Sequence, residues 1–159
     1  MNKKSTSTAS VEVHNRKAGH DYLILESLET GIELQGTEVK SIRDGQGNLN
    51  DAFARIEKGQ AWLYNFHIAP YDKGNRENHE AKRVRRLLLH KQEINKLHQE
   101  TSIAGKTLIP LKGYFKNRRF KILLGLCKGK THGDRRQAIK TRDVDRELKR
   151  ATSISLRRK

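Results

Sequence analysis

The chain has 159 residues, a third of them charged, with 34 Lys and Arg against 18 Asp and Glu and a formal net charge of +16. That length holds one domain with appendages rather than two domains, and the single cysteine, Cys127, excludes a disulfide framework or a cysteine-built zinc cluster. No apolar run is long enough to span a bilayer, and MNKKSTSTAS at the N-terminus lacks the apolar stretch of a secretory signal, so a soluble cytoplasmic protein with no membrane partner is expected.

Residues 1–13 read as a disordered leader. Tyr22 to Leu28 carries apolar residues on both faces of a predicted strand. Glu29-Thr30-Gly31 then reads as a turn, after which Ile32 and Leu34 open a second short strand ending at Gly36. Thr37 is placed to cap a short helix through Arg43, stopped by Asp44-Gly45. Ala52–Ile56 is a strand leading into a Lys58-Gly59 turn, and the next strand puts Trp62, Tyr64, Phe66 and Ile68 on one face. Pro70 to Arg86 is a long polar loop carrying Lys73, Arg76, Lys82, Arg83, Arg85 and Arg86. Leu87-Leu88-Leu89 runs into a helix over about residues 90–103, with His90 at the cap position, Glu93 three residues on, and Gly105 as its stop. Thr107–Lys116 and Arg119–Lys128 complete the strands, joined at Asn117-Arg118, with Phe120, Ile122, Leu124 and Leu126 in strict alternation. The fold predicted over residues 14–130 is mainly β: a small OB-like antiparallel barrel of about six strands with two or three short helices.

The stretch from Lys128 to Lys159 holds twelve Lys and Arg against four acids, so half of the net charge lies on about a fifth of the chain. It has no aromatic residue and few apolar ones, and cannot bury enough surface to fold alone. Residues 131–159 are therefore expected to be coil in isolation. Val144, Leu148 and Ala151 at i, i+4 and i+7, Asp145–Lys149 as an ion pair, and Asp134 with Gln137 as a capping box would favour a helix on a partner. A small folded body with a long cationic tail calls for a polyanion, and nucleic acid is the one that fits.

Enzymatic chemistry is poorly supported. Glu38-Val39-Lys40 has the E-x-K spacing of a metal-dependent nuclease, but it falls on a predicted helix rather than a strand, and a solvated helix face is the better reading. The seven histidines show no metal-ligand spacing, Cys127 reads as a small core or edge residue, and Gly125 to Gly129 is no phosphate loop, so neither metal nor cofactor is expected. Binding signals are stronger. Lys128-Gly129-Lys130 sets two cations around a flexible glycine at a sheet edge, and the loop Arg76–Arg86 is a second basic cluster. Tyr22, Tyr64, Tyr71 and Tyr114 are candidate base-stacking residues, Tyr22 foremost.

Whole phrases of the chain are more specific. Asn15-Arg16-Lys17-Ala18-Gly19-His20-Asp21-Tyr22, Glu29 through Ser41, Asn48-Leu49-Asn50-Asp51-Ala52-Phe53, His67-Ile68-Ala69-Pro70-Tyr71, Arg85 through His90, and Gly125 through Lys130 resemble the small protein B (SmpB) family, over about residues 13–147. The resemblance implies an OB-like barrel that binds the tRNA-like domain of transfer-messenger RNA (tmRNA) and delivers it to stalled ribosomes, without being an enzyme. Alanyl-tRNA synthetase and elongation factor Tu would act on the RNA as indirect partners. It implies RNA contacts at His20, Tyr22, Glu29, Leu88, His90, Lys128, Gly129 and Lys130. It also implies a tail that enters the decoding centre, against 16S rRNA, and the empty mRNA channel. Asp134, Arg135 and Arg136 match the family's Asp-Lys-Arg, and Lys140, Arg142, Arg146, Lys149 and Arg150 follow them. His132-Gly133 ahead of Asp134 departs from the family pattern, in which an aromatic or His directly precedes the Asp.

Overall fold

The computed structural model describes residues 11–74 and 78–156, with side chains as far as residue 151. The first ten residues of the expected leader, Arg76 of the basic loop, and Arg157, Arg158 and Lys159 lie outside them. The elements are β1 (Glu12–His14), α1 (Ala18–Asp21), β2 (Tyr22–Ile32), α2 (Gly36–Arg43), β3 (Gly47–Asn48), β4 (Phe53–Glu57), β5 (Gln60–Tyr64), β6 (His67–Ile68), β7 (Arg85–Leu88), α3 (Lys91–Thr101), β8 (Lys106–Lys116), β9 (Arg119–Gly129) and α4 (His132–Leu156).

Hydrogen-bonded pairing closes a ring. β8, β4, β5, β7, β2 and β9 follow one another as neighbours, and β9 returns to β8. All these pairings are antiparallel, so the mainly β, OB-like barrel holds, with closure removing the exposed sheet edges. β1 adds to the far half of β8, and β3 pairs with β6 beside the ring. Ordered structure therefore begins inside the expected leader: Glu12 and Val13 sit in β1, and Val13 is buried.

The core is one contiguous cluster in which Ile42, Leu49, Leu63, Phe66, Ile68, Leu108, Ile122 and Leu124 are all fully buried. Side chains from opposite walls meet there, and their removal from water is the main force holding the ring shut. Two tight turns carry the hairpins. Lys58 (φ 50°) and Gly59 (φ 70°) join β4 to β5, and Asn117 (φ 50°) and Arg118 (φ 64°) join β8 to β9. Both have the paired positive φ angles that match strand twist, so Arg118 accepts a left-handed backbone where glycine would be cheaper.

Four local expectations are corrected. Glu29-Thr30-Gly31 is not a turn but part of the eleven-residue β2, because that stretch pairs with β9 on one edge and, at Gly31, with β7 on the other. Two pairing edges outweigh a Thr-Gly turn signal. Leu87 and Leu88 belong to β7, not to the run into a helix; the alternation was masked by Arg85, whose side chain points inward and is fully buried. Trp62 and Tyr64 do not share a face with Phe66 and Ile68. Asn65 adopts φ 57° after β5 ends, which resets the alternation, so Leu63, Phe66 and Ile68 are buried while Trp62 and Tyr64 are only half so. Finally, α2 is capped by Gln35 rather than Thr37, with Glu38 closing the capping box.

Glu38 carries a larger correction. Far from lying on a solvated helix face, it is fully buried. Its carboxylate accepts hydrogen bonds from Arg83 Nε and Nη2 at 2.8 and 2.7 Å, from Arg85 Nε at 2.8 Å, and from the Gln35 N–H at 2.7 Å. Arg85 spends its remaining N–H groups on the carbonyls of Phe66, Arg83 and Ala81. Every partner is satisfied, so the network locks α2 to the segment ahead of β7. With both oxygens taken by guanidinium groups, Glu38 is not available to a nuclease metal.

Candidate nucleic-acid interface

The expected barrel contacts fall into two groups, strung along the outer face of β2. At its start, the Asn15 side chain accepts from the Lys17 and Ala18 N–H groups and fixes the short helix α1. His20 Nδ1 lies 2.8 Å from Asp21 Oδ1, a contact that holds the Asp21 carboxyl below the usual carboxylate range. Tyr22 is paired with Gly129 and packs, half-buried, against the small cluster of Ala18, Ile109 and Cys127. Lys130 Nζ donates to the Gly19 carbonyl at 2.9 Å, and its N–H donates to the Asp21 carbonyl. The structure thus brings His20, Tyr22, Lys128, Gly129 and Lys130 into one corner. Cys127 sits beneath it, its thiol pushed up to about 11 by burial, as a core residue.

The second group lies seven residues along β2, roughly 23 Å at the rise of a strand. Here Leu88 of β7, Gly31 of β2, Lys121 of β9 and Tyr114 of β8 are successive cross-strand partners in one row. Gly31 is needed in that row: a Cβ there would stand 3.1 Å from the Leu88 Cβ. Leu88 lies over it about half exposed and lines a cleft of ≈310 Å³ with Arg118 and Lys121. Glu29 stands beside the row. Its carboxylate accepts from the Tyr114 hydroxyl at 2.5 Å and from Lys116 Nζ at 3.1 Å, which together hold it below the ordinary range. His90, the cap of α3 with Glu93 closing its box, lines a neighbouring ≈530 Å³ cleft with Leu88, Arg86 and Lys91.

Sequence reasoning missed Tyr114, Lys116 and Lys121 as Glu29's surroundings. They come from the far hairpin, and only the β2–β9–β8 register reveals that they share its face. The other tyrosines have local duties: Tyr64 stacks on Phe53 at 5.2 Å and donates to Glu57, and Tyr71 lies under Lys40.

The tail, expected to be coil in isolation, leaves this surface as a single helix, α4, over His132–Leu156. Thr131 and Asp134 bond reciprocally: Asp134 Oδ2 accepts from the Thr131 N–H and hydroxyl, while Thr131 Oγ1 accepts from the Asp134 N–H. The helix start is therefore set by Thr131, not by Asp134 with Gln137. Arg142 Nη2 reaches the same Gly19 carbonyl that Lys130 binds, so α4 runs beside α1 for its first turns. Ile139 on one side of α4, and Val144 and Leu148 on the other, are exposed. Arg135, Arg136, Lys140 and Arg146 also lie on α4, with Lys149 and Arg150 further along it.

Against this geometry stand the comparisons with known proteins. The family model for the SmpB protein matches residues 12–154. The chain belongs to the SmpB family. The SsrA-binding protein of Carboxydothermus hydrogenoformans is 59% identical over 137 residues, covering 86% of this chain and 92% of that protein. The SsrA-binding protein of Bacillus subtilis is 55% identical over 137 residues, covering 86% and 88%. A solved SmpB chain, described under "tmRNA-SmpB: a journey to the center of the bacterial ribosome", matches with a TM-score of 0.66 at 46% identity, over 81% of this chain and 94% of that one. The SmpB match begins at β1 and runs nearly to the end of α4, so it takes in both barrel and tail.

Proposed function

We propose that the barrel binds the tRNA-like domain of tmRNA, and that the protein carries the charged RNA to ribosomes stalled on messages without a stop codon. The observation that carries this is membership of the SmpB family from β1 into α4, with relatives named for binding SsrA and a solved relative described with tmRNA and the ribosome. The surface suits the task. Lys128 and Lys130 offer phosphate contacts at the corner of β2 and β9, while Glu29, an acceptor among lysines, can take hydrogen bonds from a base or a 2′-hydroxyl. Leu88 gives an apolar edge and His90 a polar one beside them.

In this account α4 works separately. Asp134, Arg135, Arg136, Lys140, Arg142, Arg146, Lys149 and Arg150 bind 16S rRNA at the decoding centre and line the empty mRNA channel, in place of codon–anticodon pairing. The chain supplies no covalent step. Alanylation and GTP hydrolysis fall to alanyl-tRNA synthetase and elongation factor Tu, acting on the RNA in the cytoplasm.

The rival is a generic basic OB module without tmRNA preference. Purified protein titrated with the isolated tRNA-like domain, at near-physiological salt and with excess bulk tRNA, separates the two. A complex that survives the competitor supports tmRNA recognition; one erased by it reduces the protein to a cation-driven RNA binder.

A further inference from the structure

On a surface built to meet phosphate, an exposed glutamate is a liability unless its charge is directed. Glu29 is the outward-facing acid of that part of β2, between the inward Leu28 and the buried Thr30. Its side chain does not point freely into solvent. It crosses β9 to reach β8, where the Tyr114 hydroxyl donates to Oε2 at 2.5 Å and Lys116 Nζ stands 3.1 to 3.2 Å from both oxygens. Tyr114 is itself held. Its ring lies under Lys112 Nζ at 5.1 Å from the centroid, its strand position is fixed by pairing with Glu12 of β1 and Lys121 of β9, and its hydroxyl is pushed up to about 12 by the bond to Glu29. The hydroxyl is thus a permanent donor at any working pH, and it leaves lone pairs of the carboxylate facing outward.

We propose that Tyr114 is a positioning residue for RNA recognition: its hydroxyl fixes the Glu29 carboxylate in one rotamer, with Oε2 tied back, so that the free lone pairs read donor groups of the bound RNA. This rests on the assignment of Glu29 to the RNA surface. A glutamate that is already immobilised loses little rotamer freedom on binding, so the contact contributes more of its strength to affinity. Lys116 pairs with the carboxylate itself, while Lys112 and Lys121 stand nearby for the neighbouring phosphates, which leaves the acid to discriminate and the cations to attract. β1 acquires a purpose as well: pairing with the far half of β8, it fixes the strand from which Tyr114 projects.

The test is a double-mutant cycle on affinity for the isolated tRNA-like domain, using full-length protein, Tyr114→Phe, Glu29→Ala and the double variant. Phenylalanine keeps the ring beneath Lys112 and removes only the hydroxyl. The expected result is that Glu29→Ala weakens binding, that Tyr114→Phe weakens it about two- to tenfold, and that Tyr114→Phe has no further effect in the Glu29→Ala background. Carbon-13 NMR of the free protein supplies a second readout: the Glu29 carboxyl should titrate below the ordinary glutamate range in the wild type and move up in Tyr114→Phe. Equal losses from Tyr114→Phe in both backgrounds would mean that Tyr114 meets the RNA itself, and would overturn the proposal, as would full affinity in Tyr114→Phe. Unchanged binding in Glu29→Ala would instead refute the assignment of Glu29 to the RNA surface, and the proposal with it.

Discussion

At the scale of single residues, Glu38 shows how far burial changes a side chain's meaning. Burial alone would raise its carboxyl, but Arg83, the Gln35 N–H and Arg85 together hold it below the ordinary range. A folded-state value below the unfolded one gives stability that is present above the ordinary glutamate value near 4.5 and lost as pH falls through the folded value. Resistance to unfolding by urea should therefore fall on acidification below that range, and Glu38→Gln should flatten the dependence. The same variant leaves two guanidinium groups facing a neutral amide, one of them fully buried, and should cost about 3–5 kcal/mol at pH 7. A loss under 1 kcal/mol would mean that the network contributes little. Sequence alone could not show this, because E-x-K spacing is the same whether the acid faces water or a pair of arginines. The resemblance to a family, by contrast, assigned Glu29 and Leu88 to one RNA-facing surface, but gave no sign of the tyrosine and lysine that hold Glu29.

Elements were legible where alternation was uninterrupted and illegible where one residue reset it. β8 and β9 were readable almost to their ends, since every second residue of β9 from Phe120 to Leu126 is buried. β7 was hidden by its inward arginine, and the reach of β5 was misjudged because the left-handed Asn65 leaves no mark in a hydrophobic pattern. The helix of the tail depends on its beginning. The reciprocal bonds of Thr131 and Asp134 satisfy donors of the first turn, and their loss costs about 0.5–2 kcal/mol in other helices. Thr131→Ala should accordingly reduce the helical signal in far-UV circular dichroism while the melting temperature of the barrel stays put. A fall in that temperature would show that α4 helps hold the barrel together. Between strands, Gly31→Ala should push Leu88 off its seat and weaken RNA binding, with a smaller effect on stability, because the nearest obstacle is the Leu88 side chain. Unchanged affinity would remove Leu88 from the interface.

At the scale of the whole molecule, two bodies of different physics share one chain. The barrel has a dry core and closed edges, and presents two recognition patches about 23 Å apart along β2. The stretch from Lys128 onward carries half of the net charge, and the tail within it, with exposed Val144 and Leu148, is tied to the barrel by Arg142 and its first turn. This division was visible in composition, since a long basic segment without aromatic residues cannot build a core. The strand order of the ring and the place of β1 beside it were not, because pairing between distant strands leaves no local trace. The division is tested most directly by removing the chain from Asp134 onward and measuring two things on the same protein: affinity for the tRNA-like domain under bulk-tRNA competition, and peptide tagging on stalled ribosomes. The account predicts near-normal RNA binding with tagging abolished. Loss of RNA binding together with tagging would contradict it, and would place the tail within the RNA-recognition surface itself.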